Sequence, residues 1–292
     1  MDEDADIARR MQILLWASLT LYVGARICQL YADRLPTLLI VVLHVVPPAI
    51  FALAHGSLLY RLKGVLVFVM VCLGVAGMSE SVSLRTGLPF GNYYFTDVMG
   101  PKISGLPVVL VLAYLGMAYC SWVLSLLIAG YREPIKGLKT VMVPLLASFI
   151  LLAWDLSMEA DWSTVDRAWI WRNGGPFFGV PLSNFFGWYL TAFLFFQGFA
   201  IYCRSKAPVP VPVPRLYWRS AIFLYAICAM GNLLILRLPM AAPIVFDASG
   251  KAWITTHILI ANALVSTFLM ATLALLARRG LDGSKRSVAS LR

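Results

Sequence analysis

Four carboxylic acids in this chain stand among apolar residues, where a charge has little to support it. Asp155 and Glu159 are four apart, so they share one face for as long as a helix lasts, and Asp161 follows closely. Glu80 closes an earlier apolar run. Crowded carboxyls repel one another and favour a shared proton, and an acid that keeps its proton near neutral pH can act as a general acid. The simpler reading is an interfacial ion pair with Arg85 or Arg172, and for Asp166 and Arg167 a solvated loop.

Positioning such acids takes a scaffold, and composition defines it. Of the 292 residues, 60% are hydrophobic and 13% charged, and the mean hydropathy is +0.80, too little polar surface to coat a water-soluble globule. Apolar runs occupy about 11–31, 36–56, 64–83, 106–130, 138–158, 182–203, 217–238 and 252–277. Runs of roughly 20 residues fit membrane-crossing helices, whereas barrel strands need only about 10. The expected fold is all-α: a single polytopic transmembrane domain over 1–292, a bundle of about eight helices. Its motif-bearing core is 64–203, and a Pro-rich linker occupies 207–215. The opening MDEDADIARR is acidic before it is basic and lacks a small-residue cleavage site, so the first run is expected to stay as a helix.

The 24 basic residues sort unevenly over the ends of these runs. Arg34, Arg85, Lys102, Arg167, Arg172, Arg237 and Lys251 fall on one side, Arg26 lies inside the first run, and the remaining sixteen (24 − 7 − 1) fall on the other. The positive-inside rule then puts both termini in the cytoplasm and the two long segments 84–105 and 159–181 outside. Those segments are dense in Trp, Tyr, Phe, Gly and Pro, unlike solvated loops. They are expected to fold back over the bundle, lining a pocket or sitting at the interfacial belt.

The two regions also match in layout. Glu80 precedes Gly105-Leu106-Pro107, and Asp155 precedes Gly179-Val180-Pro181. The spacing from Glu80 to Pro107 equals that from Asp155 to Pro181 to within a single position. This is a candidate parallel repeat about an axis along the membrane normal, bringing Glu80 and Asp155 face to face at similar depth. Gly-x-Pro is also a cheap helix starter, which is the competing explanation.

Several chemistries lose ground. The net charge of +10 is scattered in short clusters, which argues against a nucleic-acid partner and for a lipid bilayer. Five cysteines without a CxxC pair indicate neither zinc nor a disulfide framework. With only His44, His55 and His257 there is no histidine-box iron site, and His44 and His55, on one helix face, read better as core residues. Asp155 and Glu159 could mimic half of a prenyltransferase's magnesium motif, but no second cluster accompanies them. No metal or cofactor is expected.

The run Glu80-Ser81, then Gly87-Leu88-Pro89-Phe90-Gly91-Asn92-Tyr93-Tyr94-Phe95, Ala153-Trp154-Asp155-Leu156, Trp169-Ile170-Trp171 and Phe178 to Trp188 (FGVPLSNFFGW) resembles the CruF-type carotenoid biosynthesis family over about 75–200. The resemblance implies a carotenoid 1,2-hydratase that acts on acyclic ends, with a substrate such as lycopene or gamma-carotene. The family typically has a second aspartate followed by proline where this chain has Glu159-Ala160, which preserves charge but alters reach and backbone.

Hydration of a terminal trisubstituted double bond needs an acid, a site that tolerates a tertiary cation, and one ordered water. Asp155 is the preferred acid and Glu80 its partner, with Glu159 and Asp161 as further catalytic candidates. Spacing alone leaves the reverse assignment open. The faces of Trp154, Trp162, Tyr93 or Tyr94 could stabilise the cation. Asn92 and Asn184 could orient the water, and Phe90, Phe186 and Trp188 complete the expected substrate contacts. A lateral gap near Gly74, Gly77, Gly187 and Phe186 could admit the polyene, although each glycine reads more simply as close helix packing. The expected setting is the plasma membrane, with the site toward the non-cytoplasmic side. The competing readings are a prenyltransferase or cyclase, and a transporter or lipid-binding protein.

Overall fold

The structure is a computed structural model that describes residues 2–32, 34–130, 135–205, 215–236 and 242–283. The turn at 131–134 and most of the Pro-rich stretch, 207–214, lie outside the described residues. The helices are α1 (Asp2–Cys28), α2 (Thr37–Thr86), α3 (Val108–Ile128), α4 (Lys139–Leu156), α5 (Leu182–Ser205), α6 (Arg215–Ile235), α7 (Thr255–Leu264) and α8 (Ala271–Gly283). A π-helical stretch, Val265–Met270, joins α7 to α8 in one rod, and another, Asp161–Val165, follows α4.

Among the described residues, seven helical stretches are long and apolar enough to cross a membrane. The 50-residue α2 accounts for two crossings. Straight, it would run about 75 Å at 1.5 Å per residue, more than twice the roughly 30 Å of a bilayer's hydrocarbon core. Its backbone instead leaves the helix at Arg61 (φ 56°, ψ 171°). The rings of His55 and Phe68, on either side of that point, both meet Tyr119 with centroids 5.6 Å apart. The chain therefore doubles back at Arg61, and eight crossing segments result. This is a multi-pass membrane protein.

α3 is the hub of the bundle and the most deeply buried of the spans. Tyr119, Trp122 and Leu126 of α3 pack with Phe195, Phe196 and Phe199 of α5 in the main core. His55 is a core histidine, stacked on Tyr217 at 3.7 Å and placed between the Tyr119 hydroxyl and the Tyr217 carbonyl.

Three short two-stranded sheets cap one end. The strand β1 (Tyr93–Phe95) pairs antiparallel with β4 (Trp169–Trp171), with Tyr93 opposite Trp171 and Phe95 opposite Trp169. β2 (Lys102–Ile103) pairs with β3 (Leu106–Pro107), and β5 (Ile244–Phe246) with β6 (Ala252–Ile254). The first pairing decides the site. It knits the segment after Glu80 to the segment after Asp155, so the aromatic stretches do fold back over the bundle. β1 also follows Glu80 along the chain at almost the same interval as β4 follows Asp155. Equivalent strands pairing antiparallel is the arrangement a twofold-related repeat produces. Gly105 (φ 85°) and Gly179 (φ 90°) likewise match, each supplying the left-handed turn before its proline.

Candidate active site

Beneath the β1–β4 ribbon lies a cavity of about 430 Å³ whose walls include Glu80, Asp155, Glu159 and Asp161. Glu80, in the last turns of α2, is 3% exposed, Asp155, at the end of α4, 5%, and Glu159 2%. Glu80 accepts hydrogen bonds from the Tyr93 and Tyr114 hydroxyls, one reaching in from β1 and the other from α3. Burial and the neighbouring Glu80 push the Tyr93 hydroxyl well above its ordinary range, so it serves as a donor. Asp155 accepts from the Asn184 amide at 3.4 Å, and Asn184 stands in the first turn of α5, which begins directly after Pro181. Glu80 and Glu159 are both within electrostatic reach of Asp155.

Glu159 is held differently. The indole N–H groups of Trp169 and Trp171 both donate to its Oε1, at 2.6 and 2.8 Å. Residues two apart on a strand point to the same face, so β4 presents both indoles to a single oxygen. Among the described residues, none of the four acids forms an ion pair: the ion pairs found are Lys102–Asp97, Arg215–Asp282 and Arg278–Asp282. The ion-pair explanation for these acids therefore fails. Arg172 lies over the Tyr94 ring at 4.7 Å instead. The rest of the wall is aromatic: Phe90 stacks on Trp188 at 4.9 Å, Trp188 meets Tyr114 at 4.7 Å, and Tyr93 meets Trp171 at 4.8 Å. Carboxyls with neutral partners in such a chamber can hand a proton to an electron-rich ligand, and the surrounding ring faces can hold positive charge.

A family profile described as "Carotenoid biosynthesis protein" matches residues 37–249. The chain belongs to this family. The chain is also similar to a bisanhydrobacterioruberin hydratase of Haloarcula japonica, at 29% identity over 113 residues. That match covers 38% of this chain and 36% of the relative, so the chain aligns with about a third of that protein's length. No solved structure matches.

The cavity of this carotenoid biosynthesis protein gathers ten of the residues singled out from sequence. Glu80, Asp155, Glu159, Asp161, Phe90, Tyr93, Trp154, Trp162, Asn184 and Trp188 all line it. Three others do not. Tyr94 is 41% exposed because strand alternation turns it away from the inward Tyr93 and Phe95. Asn92 is exposed and donates to Asn173 Oδ1 at 3.3 Å. Phe186 is 74% exposed on the outer face of α5. Of the glycines considered for a lateral gap, Gly187 is a packing residue, since a Cβ there would meet Phe90 at 2.7 Å. Gly74 and Gly77 face open space.

Sequence reasoning missed Tyr114 and the donor role of Trp169 and Trp171. It also left Arg26 and Gln29 without a place and read His44 as a core residue, and all three line the cavity. The W-x-W spacing was the available signal for the indole pair. Tyr114 gave none beyond being a hydroxyl in an apolar helix. We expect Trp171→Phe to leave Glu159 with one donor and to lower turnover about tenfold. That corresponds to roughly 1–2 kcal/mol for one hydrogen bond to a carboxyl. Pigment yield normalised to membrane-inserted protein measures it, and an unchanged yield would show that Glu159 needs no such anchoring.

Proposed function

We propose that the protein is a membrane-embedded carotenoid hydratase that adds water across the terminal 1,2 double bond of an acyclic carotenoid end, such as that of lycopene or gamma-carotene. One observation carries the reading: Glu80, Asp155 and Glu159, all buried and none ion-paired among the described residues, line one aromatic-walled cavity. The family match and the hydratase relative point the same way.

Asp155 donates its proton to the less substituted alkene carbon. The positive charge then rests on the dimethyl-bearing carbon, facing the rings of Trp154, Trp162 and Tyr93. A water held by Asn184 and Glu80 forms the new C–O bond, and its surplus proton passes to Glu80. Return of that proton to Asp155 closes the cycle, with no change of oxidation state and no call for a redox cofactor. Glu159, fixed by two indoles, adds to the negative field that favours the cation. The basic-residue asymmetry supports cytoplasmic termini, which would put the cavity toward the non-cytoplasmic side of the plasma membrane.

Expression in lycopene-making cells tests this. The expected product is heavier than lycopene by one water and carries a tertiary alcohol. Unaltered lycopene alongside folded, membrane-inserted protein would overturn the proposal. A diphosphate requirement with chelator sensitivity would point instead to prenyl transfer.

A further inference from the structure

A cavity of about 430 Å³ suits a drug-sized ligand, so a long polyene cannot fit into it whole. With the reacting end against Asp155 and Glu80, most of the chain must pass out through an opening. The residues considered for a lateral gap do not mark that opening, since Gly74, Gly77, Gly187 and Phe186 are all absent from the cavity wall. Among the described residues that do line it, Ala32, Thr37, Asp166 and Ala242 are exposed. Asp166 is the one charged residue of the four, and the other three carry no polar side-chain group beyond the Thr37 hydroxyl. Ala32 and Thr37 flank the turn between α1 and α2, and Ala242 stands two residues before β5. These places adjoin, because Gln29, just after α1, donates to the Gly231 carbonyl of α6 at 2.7 Å.

The β5–β6 hairpin walls this mouth. Val245 lines the cavity, and its cross-strand partner Trp253 meets the Phe178 ring at 5.4 Å, so one face of the ribbon looks inward. The opposite face carries Ile244, Phe246, Ala252 and Ile254, all exposed. A connection bathed in water would not present so apolar a row. Tyr31, Leu38 and Leu236, beside the mouth, are exposed as well, so the hairpin continues the lipid-facing surface of the spans. The hairpin is also fixed in place. Asp247 Oδ1 accepts from the Ser249 and Lys251 backbone N–H groups at 2.9 and 3.1 Å, and its Oδ2 from the Trp253 indole at 2.8 Å. Thr255, which opens α7, pins the base by donating its N–H to the Pro243 carbonyl at 3.0 Å and its hydroxyl to the Ala242 carbonyl at 2.6 Å.

We infer that the opening between the α1–α2 turn and the β5–β6 hairpin is a portal onto the bilayer, occupied by the unreacted hydrocarbon stretch of the substrate. The chain lies between Thr37 and Ala242 while its end reaches the acids, an assignment that rests on the cavity being the isoprenoid site proposed above. A polyene is insoluble in water, so it must arrive from the lipid, and an apolar rim continuous with the spans lets it do so without crossing a hydrated surface.

Photo-crosslinking in lycopene-making cells tests the portal apart from the reaction. A diazirine-bearing amino acid replaces Ala242 in the full-length protein, or Thr37 should the first position not tolerate it. The comparison position is Gly74, exposed on α2 where a side chain meets open space. Irradiation is expected to give protein heavier by one carotenoid, in at least about fivefold greater yield from the portal position than from position 74. Filling the mouth with Ala242→Trp or Thr37→Trp should lower the hydrated product at least about tenfold, while Gly74→Trp leaves it within about twofold. Adducts no more frequent at the portal than at position 74, or undiminished product from both portal tryptophans in membrane-inserted protein, would overturn the inference. An adduct of unchanged lycopene at the portal with no hydrated product in the cells keeps the portal and removes the hydratase reading. Hydrated product with adducts favouring position 74 does the reverse.

Discussion

Asp155→Asn should reduce the hydrated carotenoid in lycopene-making cells at least about a hundredfold, since a positioned general acid contributes roughly 10²–10⁴ in rate. The change keeps the side-chain shape and an oxygen able to accept from Asn184, so the bundle should persist while the transferable proton is lost. Glu80→Gln should be comparably severe, because Glu80 receives the water's proton in the proposed cycle and anchors two tyrosine hydroxyls. The two acids serve one step, so the double variant should be little worse than the worse single one. Product mass and yield per membrane-inserted protein are the readouts. More than a tenth of normal yield from Asp155→Asn would remove Asp155 from the role of acid.

The second large effect is structural. At Gly116 of α3, a Cβ would lie 2.6 Å from Pro48 Cβ, 2.8 Å from the Pro48 carbonyl carbon and 3.0 Å from the Ala49 nitrogen. Two of those atoms are backbone, so no side-chain rotation relieves the clash. Small residues permit this kind of close crossing between membrane helices. Gly116→Val is therefore expected to destabilise the fold beyond the roughly 1–3 kcal/mol usual for overpacking, because α2 and α3 must separate along their contact. A melting temperature at least about 10 °C lower, or loss of monodisperse protein in detergent, would register it. Pro48 also lines the cavity, so any protein that survives should lose activity as well. A normal melt would mean that the helices cross less tightly than these contacts require.

Much of this architecture was legible in the sequence, for identifiable reasons. Membrane spans declare themselves through apolar run length, and the acids stood out because charge is conspicuous in such runs. The break between the second and third runs was legible at Arg61 to Lys63, although the backbone there departs from helical geometry at one residue only. The facing of individual side chains was harder to read. Tyr93 and Tyr94 are adjacent and chemically alike, and only the pairing of β1 with a strand from a distant part of the chain decides which turns inward. Phe186 and Trp188 differ in the same way, by their angle around α5. Arg26 was visible as a charge within a span, but the carbonyl that holds it, that of Cys228, belongs to α6, far along the chain.

The three-residue ribbon formed by β1 and β4 bears on how such a protein can diversify. Its two halves come from separate helix pairs, yet each supplies clamps for a different acid: Tyr93 for Glu80, Trp169 and Trp171 for Glu159. A change that shifts one strand's register drags the opposite strand with it, so both clamps move at once. New end-group preferences are therefore more accessible through cavity residues outside the ribbon, such as Ile40 and Leu259, which can vary without moving either clamp.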